Sequence, residues 1–375
     1  MSECKRVLQV VTIMNRGGIE NMLMNLYRNI DREKIQFDFV VHRSQKAAFD
    51  DEIRALGGKI YYAPQYKCLN HFSYVTWWEN FFKEHPEYKI IHSHTYSLAS
   101  VQHKIAKKYG LITIVHSHST STPKSFKGKV QRAFQKNITN ISDYLFACSS
   151  AAGEWLYGKG CEKRKNYVLL KNAIDAKKYV FDELIRSEVR NELNISGKFV
   201  VGHVGSFGIP KNHIFLLEIL KKISLKREDS VLLLVGDGAL RPQIEEKIKE
   251  LGIEDRVVMT GIRPDVNKLM QAMDCFVFPS IYEGLPVTVI EAQAAGLQCF
   301  ISDRITDEVC ITDSVERLSI DTEPELWADE ILNSAGSFRK DMSEEISIAG
   351  YDIESTVNWL STFYSNCYGG KVCQK

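Results

Sequence analysis

The stretch YEGLPVTVIEAQAAG, Tyr282 to Gly296, combines two kinds of chemistry that at first sight conflict. Pro286 reads as the first residue of a helix and Gly296 as the residue that stops it. The start of such a helix, with the N–H groups of Val287 and Thr288 unpaired, suits an anion such as a diphosphate. Yet Glu283 stands just before it and Glu291 projects from its middle. A carboxylate aimed at a phosphate repels it, but a carboxylate also accepts two hydrogen bonds from a vicinal diol such as a ribose. Glu283 can take hydroxyls on the other side of the phosphates. The spacing therefore suits a ligand that reads diol, diphosphate, polyol, which is the chemistry of a nucleotide sugar.

Two other stretches could serve the same ligand. In FVVGHVGSFGIPKNHIFLLEIL a strand ends at Val204, a loop follows with Gly205 and Gly208, and Lys211 falls at the entrance of the next helix. A cation there adds a full charge to the amide dipoles of a phosphate site, although most lysines are simply solvated. In VVTIMNRGGIENMLMNLYRNI, Gly17 and Gly18 form a turn between a strand and a helix expected from about Ile19. Their amides suit a phosphate or sugar oxygen; the plainer alternative is an ordinary strand-to-helix turn with Glu20 favouring the helix dipole. A dinucleotide fingerprint is not completed: Gly236 and Gly238 follow a strand, but Arg241 occupies the third glycine position. No Walker A motif is present, and no D-x-D triplet, the carboxylate pair through which many transferases hold a diphosphate by way of a cation. No metal and no separate cofactor are expected.

These residues need elements to hold them. Short β-branched runs alternate with helical patterns throughout: VLQVVTIM, FDFVVH, KIYYA, KIIHSH, ITIVHSH, YLFACS and YVLLKN in the first half, FVVGHVG, VLLLVGDG, RVVMTG, CFVFPS, QCFIS and RLSI in the second. Continuous apolar strands separated by helices imply α/β architecture with parallel sheets covered on both faces. One sheet of more than a dozen strands would be unusual, so two doubly wound domains facing across a cleft are expected. The break falls in the charged helical stretch between Asn172 and Phe199. The expected domains are 1–173, joined by a C-terminal helix in 351–375 with Val357, Leu360 and Phe363 on one face, and 174–350.

Bulk composition agrees with a globular enzyme of this size. The 375 residues are 44% hydrophobic and 25% charged, with a formal net charge of +1. Near-zero charge argues against a nucleic-acid partner. Nine cysteines without a C-x-x-C pair read as thiols of a reducing compartment rather than a disulfide or zinc framework. The start MSECKRVLQVVTIM lacks a signal-peptide shape, no window reaches a membrane span, and the sequons at Asn137, Asn140 and Asn194 read as chance. The expected location is cytoplasmic, with peripheral contact at the inner face of the cell membrane. That contact is suggested by PKSFKGKVQRAFQK, where Lys124 to Lys136 carry five basic residues and no acidic one, interleaved with Phe126, Val130 and Phe134. A solvated amphipathic helix is the alternative.

Taken together, Glu283 and Glu291 in E-x7-E after FPSIYEG, with GGIEN, GHVGSFGIPKNH, LVGDG, TGIRPDV and ISDRITDEV in this order, resemble the signature of family 4 retaining glycosyltransferases. The likeness spans nearly the whole chain and is nearest to bacterial capsule and exopolysaccharide members. It implies the GT-B fold, two Rossmann-like domains with the nucleotide sugar held mainly by the second. It implies that Lys211 binds the donor diphosphate with help from the Gly18 amide, and that Glu291 binds the ribose. Glu283, Gly284 and Leu285 would line the sugar and phosphates, and Arg263 would lie near the nucleobase. A histidine of IVHSHST would stand beside the reacting carbon, with His118 preferred over His116. The catalytic set implied is thus His118, Glu283 and Lys211. The family commonly has an arginine partnering the lysine where this chain has Ser206, and serine replaces it in neither charge nor reach. The "NGVD" turn often seen in the family is Asn172-Ala173 here, within KNAID.

The resemblance implies a retaining, metal-independent transfer from a nucleotide sugar, expected to be a UDP-sugar, to a glycan or polyprenyl-linked acceptor in surface-polysaccharide synthesis. Donors aimed at the charge that gathers on the leaving diphosphate would lower the barrier without a protein nucleophile. The other reading, carried by Ser206, is a catalytically weakened GT-B protein that binds a sugar nucleotide or a partner transferase.

Overall fold

A computed structural model describes residues 4–119, 135, 137–334 and 339–370. The described chain divides into two units: residues 1–173 with 353–375, and residues 174–352.

The first unit is built on a seven-stranded parallel sheet. Its strands are β1 (Lys5–Val11), β2 (Ile35–Val41), β3 (Ile60–Tyr62), β4 (Ile90–Ser93), β5 (Ile112–Ser117), β6 (Tyr144–Ala147) and β7 (Tyr167–Leu169). They lie in the order β3-β2-β1-β4-β5-β6-β7. Every residue of β2 is buried, as a strand covered on both faces by helices requires. The helix Gly18–Asn29 and the C-terminal helix Ile353–Tyr368 cover one face. Val357, Leu360, Phe363 and Tyr364 enter one cluster with Val7, Phe37 and Phe39, so the chain's last helix completes the first unit's core.

The second unit repeats the plan with six parallel strands: β8 (Phe199–Val204), β9 (Ser230–Val235), β10 (Val257–Gly261), β11 (Cys275–Phe278), β12 (Gln298–Ser302) and β13 (Val315–Leu318). Their order is β10-β9-β8-β11-β12-β13. The chain enters and leaves this unit side by side, with Ile174 pairing in parallel with Asp352.

In both sheets three consecutive strands run out to one side and the rest run to the other. The order reverses between β1 and β4 in the first unit and between β8 and β11 in the second. At such a switch point the two connections leave in opposite directions, which opens a crevice at the carboxyl ends of the strands. All thirteen strand segments expected from the sequence form, with β13 two residues earlier than the run RLSI.

Candidate active site

At the second unit's switch point, β8 and β11 each end in a loop that carries one of the expected charged residues. The loop after β8 passes through a short turn, Ile209–Lys211, in which Pro210 fixes the backbone. Asn212 then takes a left-handed conformation (φ 54°), which asparagine tolerates better than most residues, and the helix His213–Lys226 begins. Two contacts tie this loop to its neighbour. The Ile281 amide donates to the Pro210 carbonyl at 2.8 Å, and Asn212 Nδ2 donates to the Pro279 carbonyl at 3.2 Å. The result brings Lys211 Nζ to 2.7 Å from Glu283 Oε1, with the two side chains only 15% and 16% exposed. The ammonium also lies 4.5 Å from the centre of the Phe278 ring, where its charge meets the negative face of the aromatic system.

The glycines of LVGDG explain why this loop is so well fixed. A Cβ on Gly236, whose φ is +141°, would lie 2.0 Å from the Gly205 carbonyl oxygen, and one on Gly238 would lie 2.5 Å from that of Phe207. Backbone bonds from Gly205 to Val235 and from Phe207 to Asp237, each 3.0 Å, hold the two loops together. These glycines serve loop packing, not a dinucleotide. Ser206, at the place of the family's arginine, is exposed.

The helix after β11 runs Val287–Ala294, with Pro286 as its N-cap rather than its first helical residue. No side chain caps it, so the Val287 and Thr288 amides keep their donors for a ligand. At the other end Gly296 (φ 66°) is left-handed, with Gly296 N bonded to the Gln293 carbonyl and Leu297 N to that of Ala292, the pattern of a Schellman stop. Gly284 and Leu285 lie in the loop before it; Leu285 packs against two apolar clusters of the unit. Glu291 sits in the middle of the helix and is held by a hydrogen bond from Tyr179, on the turn Ala176–Tyr179 that packs against it. Burial raises the Glu291 carboxyl to about 7, and the Tyr179 bond only partly offsets this. Sequence reasoning missed Tyr179, which comes from the connector between the units.

Arg263 lies in the loop that follows β10. Its guanidinium grips Asp265 at 2.7 and 2.8 Å and reaches Glu192 at 3.0 Å, so its donors are committed to carboxylates.

In the first unit, Gly17 caps the helix Gly18–Asn29, and neither glycine has a positive φ. A Cβ on Gly17 would lie 2.3 Å from Glu20 Oε2, whereas Gly18 has nothing within 4 Å. The helix start expected to meet a phosphate is thus already faced by the carboxylate of Glu20, which burial holds above the usual range. An anion would have to displace it.

The first unit's switch point holds imidazoles instead. KIIHSH and ITIVHSH lie on the neighbouring strands β4 and β5, in the register His92↔Ile114 and Ser93↔Val115. Side chains alternate along a strand, so His92, His94, His116 and His118 project on one face. Gln9 of β1 lies opposite His92. The rings of His92 and His94 stack with centroids 4.5 Å apart, and those of His116 and His118 lie 4.0 Å apart, tilted by 34°. His94 Nδ1 lies 2.9 Å from His118 Nε2, His94 Nε2 lies 3.0 Å from Gln9 Oε1, and His92 Nδ1 lies 2.7 Å from the Tyr364 hydroxyl. Burial depresses all four, His118 to about 3, so they stand neutral. His116 is fully buried, while His118 is half-buried just beyond the strand end.

His92, His94 and His116 each offer a nitrogen within 4.8 Å of the others'. An ion bound by histidine lies about 2 Å from nitrogen and close to the ring plane. The His92 ring is within 21° of parallel to that of His94 and within 18° of that of His116. Rings stacked in this way do not share an in-plane point, although His94 and His116 are tilted by 40° to one another. The basic segment Lys124–Lys136 lies outside the described residues, except for Gln135. Among the described residues no helix is long and apolar enough to cross a membrane.

Two parallel-sheet units of Rossmann type, with a lysine, helix amides and paired glutamates at the second switch point, define the GT-B class of glycosyltransferase. The comparisons agree. Residues 16–178 match the model of Glycosyltransferase Family 4 and residues 185–345 that of Glycosyl transferases group 1. The chain is 35% identical over 373 residues to EpsF of Bacillus subtilis (strain 168), whose name assigns it to the glycosyltransferases, covering 97% of each protein. It is 23% identical over 367 residues to the capsular polysaccharide biosynthesis glycosyltransferase CapH of Staphylococcus aureus, covering 96% of this chain and 98% of CapH. Among solved structures, HepE of Anabaena in complex with UDP superposes with a TM-score of 0.78 at 19% identity, covering 96% of this chain and all of HepE. The chain belongs to the family 4 glycosyltransferases.

Proposed function

We propose that the protein is a retaining, metal-independent transferase that moves a sugar from a UDP-sugar to a glycan acceptor, free or carried on a polyprenyl lipid, in surface-polysaccharide synthesis. The observation that carries this reading is the cluster at the second switch point: Lys211, the open amides of Val287 and Thr288, and the two glutamates on either side. In it the diphosphate takes Lys211 and the amides, Glu291 accepts from the ribose, and Glu283 accepts from the sugar. As the glycosidic bond breaks, negative charge grows on the diphosphate that these donors hold, which lowers the barrier. Metal independence follows from that donor chemistry, in which the lysine supplies the charge a cation would. Support for UDP and for the glycan comes from relatives: HepE binds UDP, and CapH is named for capsular polysaccharide biosynthesis.

The test is UDP release from a panel of UDP-hexoses, with and without a chelator, and the anomeric configuration of the product by NMR. Turnover that survives the chelator, keeps the α configuration and disappears in Lys211→Ala and Glu283→Ala is expected. Inversion, or dependence on an added divalent ion, overturns the proposal. The exposed serine at 206 favours a second reading, a weakened protein that binds sugar nucleotide without using it. Binding of a UDP-sugar with no release under any of these conditions would establish that reading.

A further inference from the structure

The imidazole cluster of the first unit is more than packing around one histidine. Four of its nitrogens (His92 Nε2, both of His116, and His118 Nδ1) are buried with no hydrogen-bond partner among the described residues, while the rest join one chain of contacts. That chain starts on the C-terminal helix. The Tyr364 hydroxyl receives Gln9 Nε2 at 3.4 Å, and Gln9 Oε1 meets His94 Nε2 at 3.0 Å. His94 Nδ1 meets His118 Nε2 at 2.9 Å.

Proton bookkeeping along it has one solution once the amide of Gln9 is placed with its oxygen on His94. A carboxamide oxygen only accepts, so His94 must carry its proton on Nε2. A neutral imidazole has a single N–H, so His94 Nδ1 is a lone pair and can only accept from His118. His118 therefore carries its proton on Nε2, and its Nδ1 is a bare acceptor, turned away from His94. We infer that Gln9 and His94 are positioning residues that hold the His118 ring in this tautomer, leaving Nδ1 to accept a hydrogen bond from a substrate hydroxyl. The inference rests on the reading of His118 as the residue beside the reacting carbon. It adds what orients that residue: an amide on β1, a second histidine just past the end of β4, and a tyrosine from the helix that closes the unit. The sheet makes this possible, because β1, β4 and β5 are neighbours and all these side chains leave one face.

The test uses the full chain with 15N-labelled histidine. In the unsubstituted protein, long-range 15N–1H correlations are expected to show both His94 and His118 protonated on Nε2; a His118 proton on Nδ1, or a mixture of tautomers, overturns the inference without any variant. Gln9→Met, close in volume but without the acceptor, is expected to mix the His118 tautomers. It should lower kcat by on the order of tenfold with the donor KM changed less than about twofold. Gln9→Glu, which keeps an acceptor for His94, is expected to restore the single tautomer. A folded Gln9→Met protein with an unchanged tautomer and unchanged kcat would show the network to be structural only. Failure of the underlying reading looks different: His118→Ala would then keep full turnover, whatever the spectra of the parent protein show.

Discussion

The two sheets of this chain have the same strand order around the switch point and opposite equipment at it. The second unit places a full positive charge, an equal negative charge and unpaired helix amides at its crevice. The first places neutral rings there, stacked and joined by hydrogen bonds, with the helix start that might have taken an anion faced by Glu20. Topology decides where a ligand can bind, and side chains decide what kind. On the proposed reading one crevice takes an anion and its flanking hydroxyls, and the other an uncharged polar group that is oriented and not neutralised. This division suits a reaction in which the leaving group gathers charge while the groups that direct the sugar do not.

The two units should differ most at Lys211. Lys211→Met removes the one cation that pairs with Glu283 among the described residues, and a hydrogen bond to a charged group is worth about 1.5–3 kcal/mol. UDP affinity measured by calorimetry should fall by about 10- to 100-fold. Gln9→Met and His118→Ala, in the first unit, should leave it within about twofold. Equal losses from both units would mean that the first unit also binds the diphosphate, through Gly17 and Gly18 with Glu20 displaced.

How much of this contrast could be read from the sequence depends on the distance over which each feature is determined. Strands such as FDFVVH and VLLLVGDG announce themselves because burial on both faces needs apolar residues in succession. Gly296 and the helix it ends are equally local. Lys211 and Glu283 were each legible as site residues, but their 2.7 Å contact was not, because they lie 72 residues apart and meet only since β8 and β11 are neighbours. The same holds for Gln9, His94 and Tyr364. A signal for His94 did exist: H-S-H occurs at the ends of two successive strands, and its period of two puts all four rings on one face. Tyr179 had no such signal, since the connector that carries it reads as a charged helix. Arg263 was legible as a loop residue, but its partners Asp265 and Glu192 were not, since one lies on its own loop and the other on a different helix.

A second way to sharpen the comparison uses pH, since the second unit holds a carboxyl near neutrality and the first holds imidazoles that stay neutral. The Glu291 carboxyl is raised from 4.5 to about 7 by burial. Only its ionised form accepts two hydrogen bonds from a diol, and the ionised fraction rises about tenfold between pH 6 and pH 8 for a group of that pKa. Affinity for UDP-glucose should rise by up to about tenfold over that interval and be flat in Glu291→Gln. Stability moves the other way. The folded state holds this proton more tightly than the unfolded state, so stability is lost as pH rises from about 4.5 to about 7, and Glu291→Gln removes that slope. Affinity and stability that change in the same direction would remove Glu291 from the ribose. The His118 tautomer should not change over the same range, because burial holds that ring neutral down to about 3.

The smallest expected effect concerns the ion pair itself. Before a donor arrives, Glu283 is the anion that Lys211 holds, so the diphosphate must compete with a carboxylate of the protein. Glu283→Gln keeps the shape and the hydrogen-bonding oxygen and removes the competing charge. It should tighten UDP by about threefold and lower turnover, since the sugar loses its charged acceptor while the diphosphate gains a freer lysine. A double-mutant cycle with Lys211→Met isolates the term: without the ammonium, neutralising Glu283 acts only through loss of its repulsion on the phosphates. If Glu283→Gln instead weakens UDP, the carboxylate holds Lys211 in the pose that phosphate needs, and the pair is a brace rather than a competitor. No such inversion of binding and turnover is expected in the first unit, where His94 and His116, the rings that meet His118 among the described residues, are neutral. The sign of this one change in UDP affinity therefore tests whether the second crevice is prepared for an anion or already occupied by one.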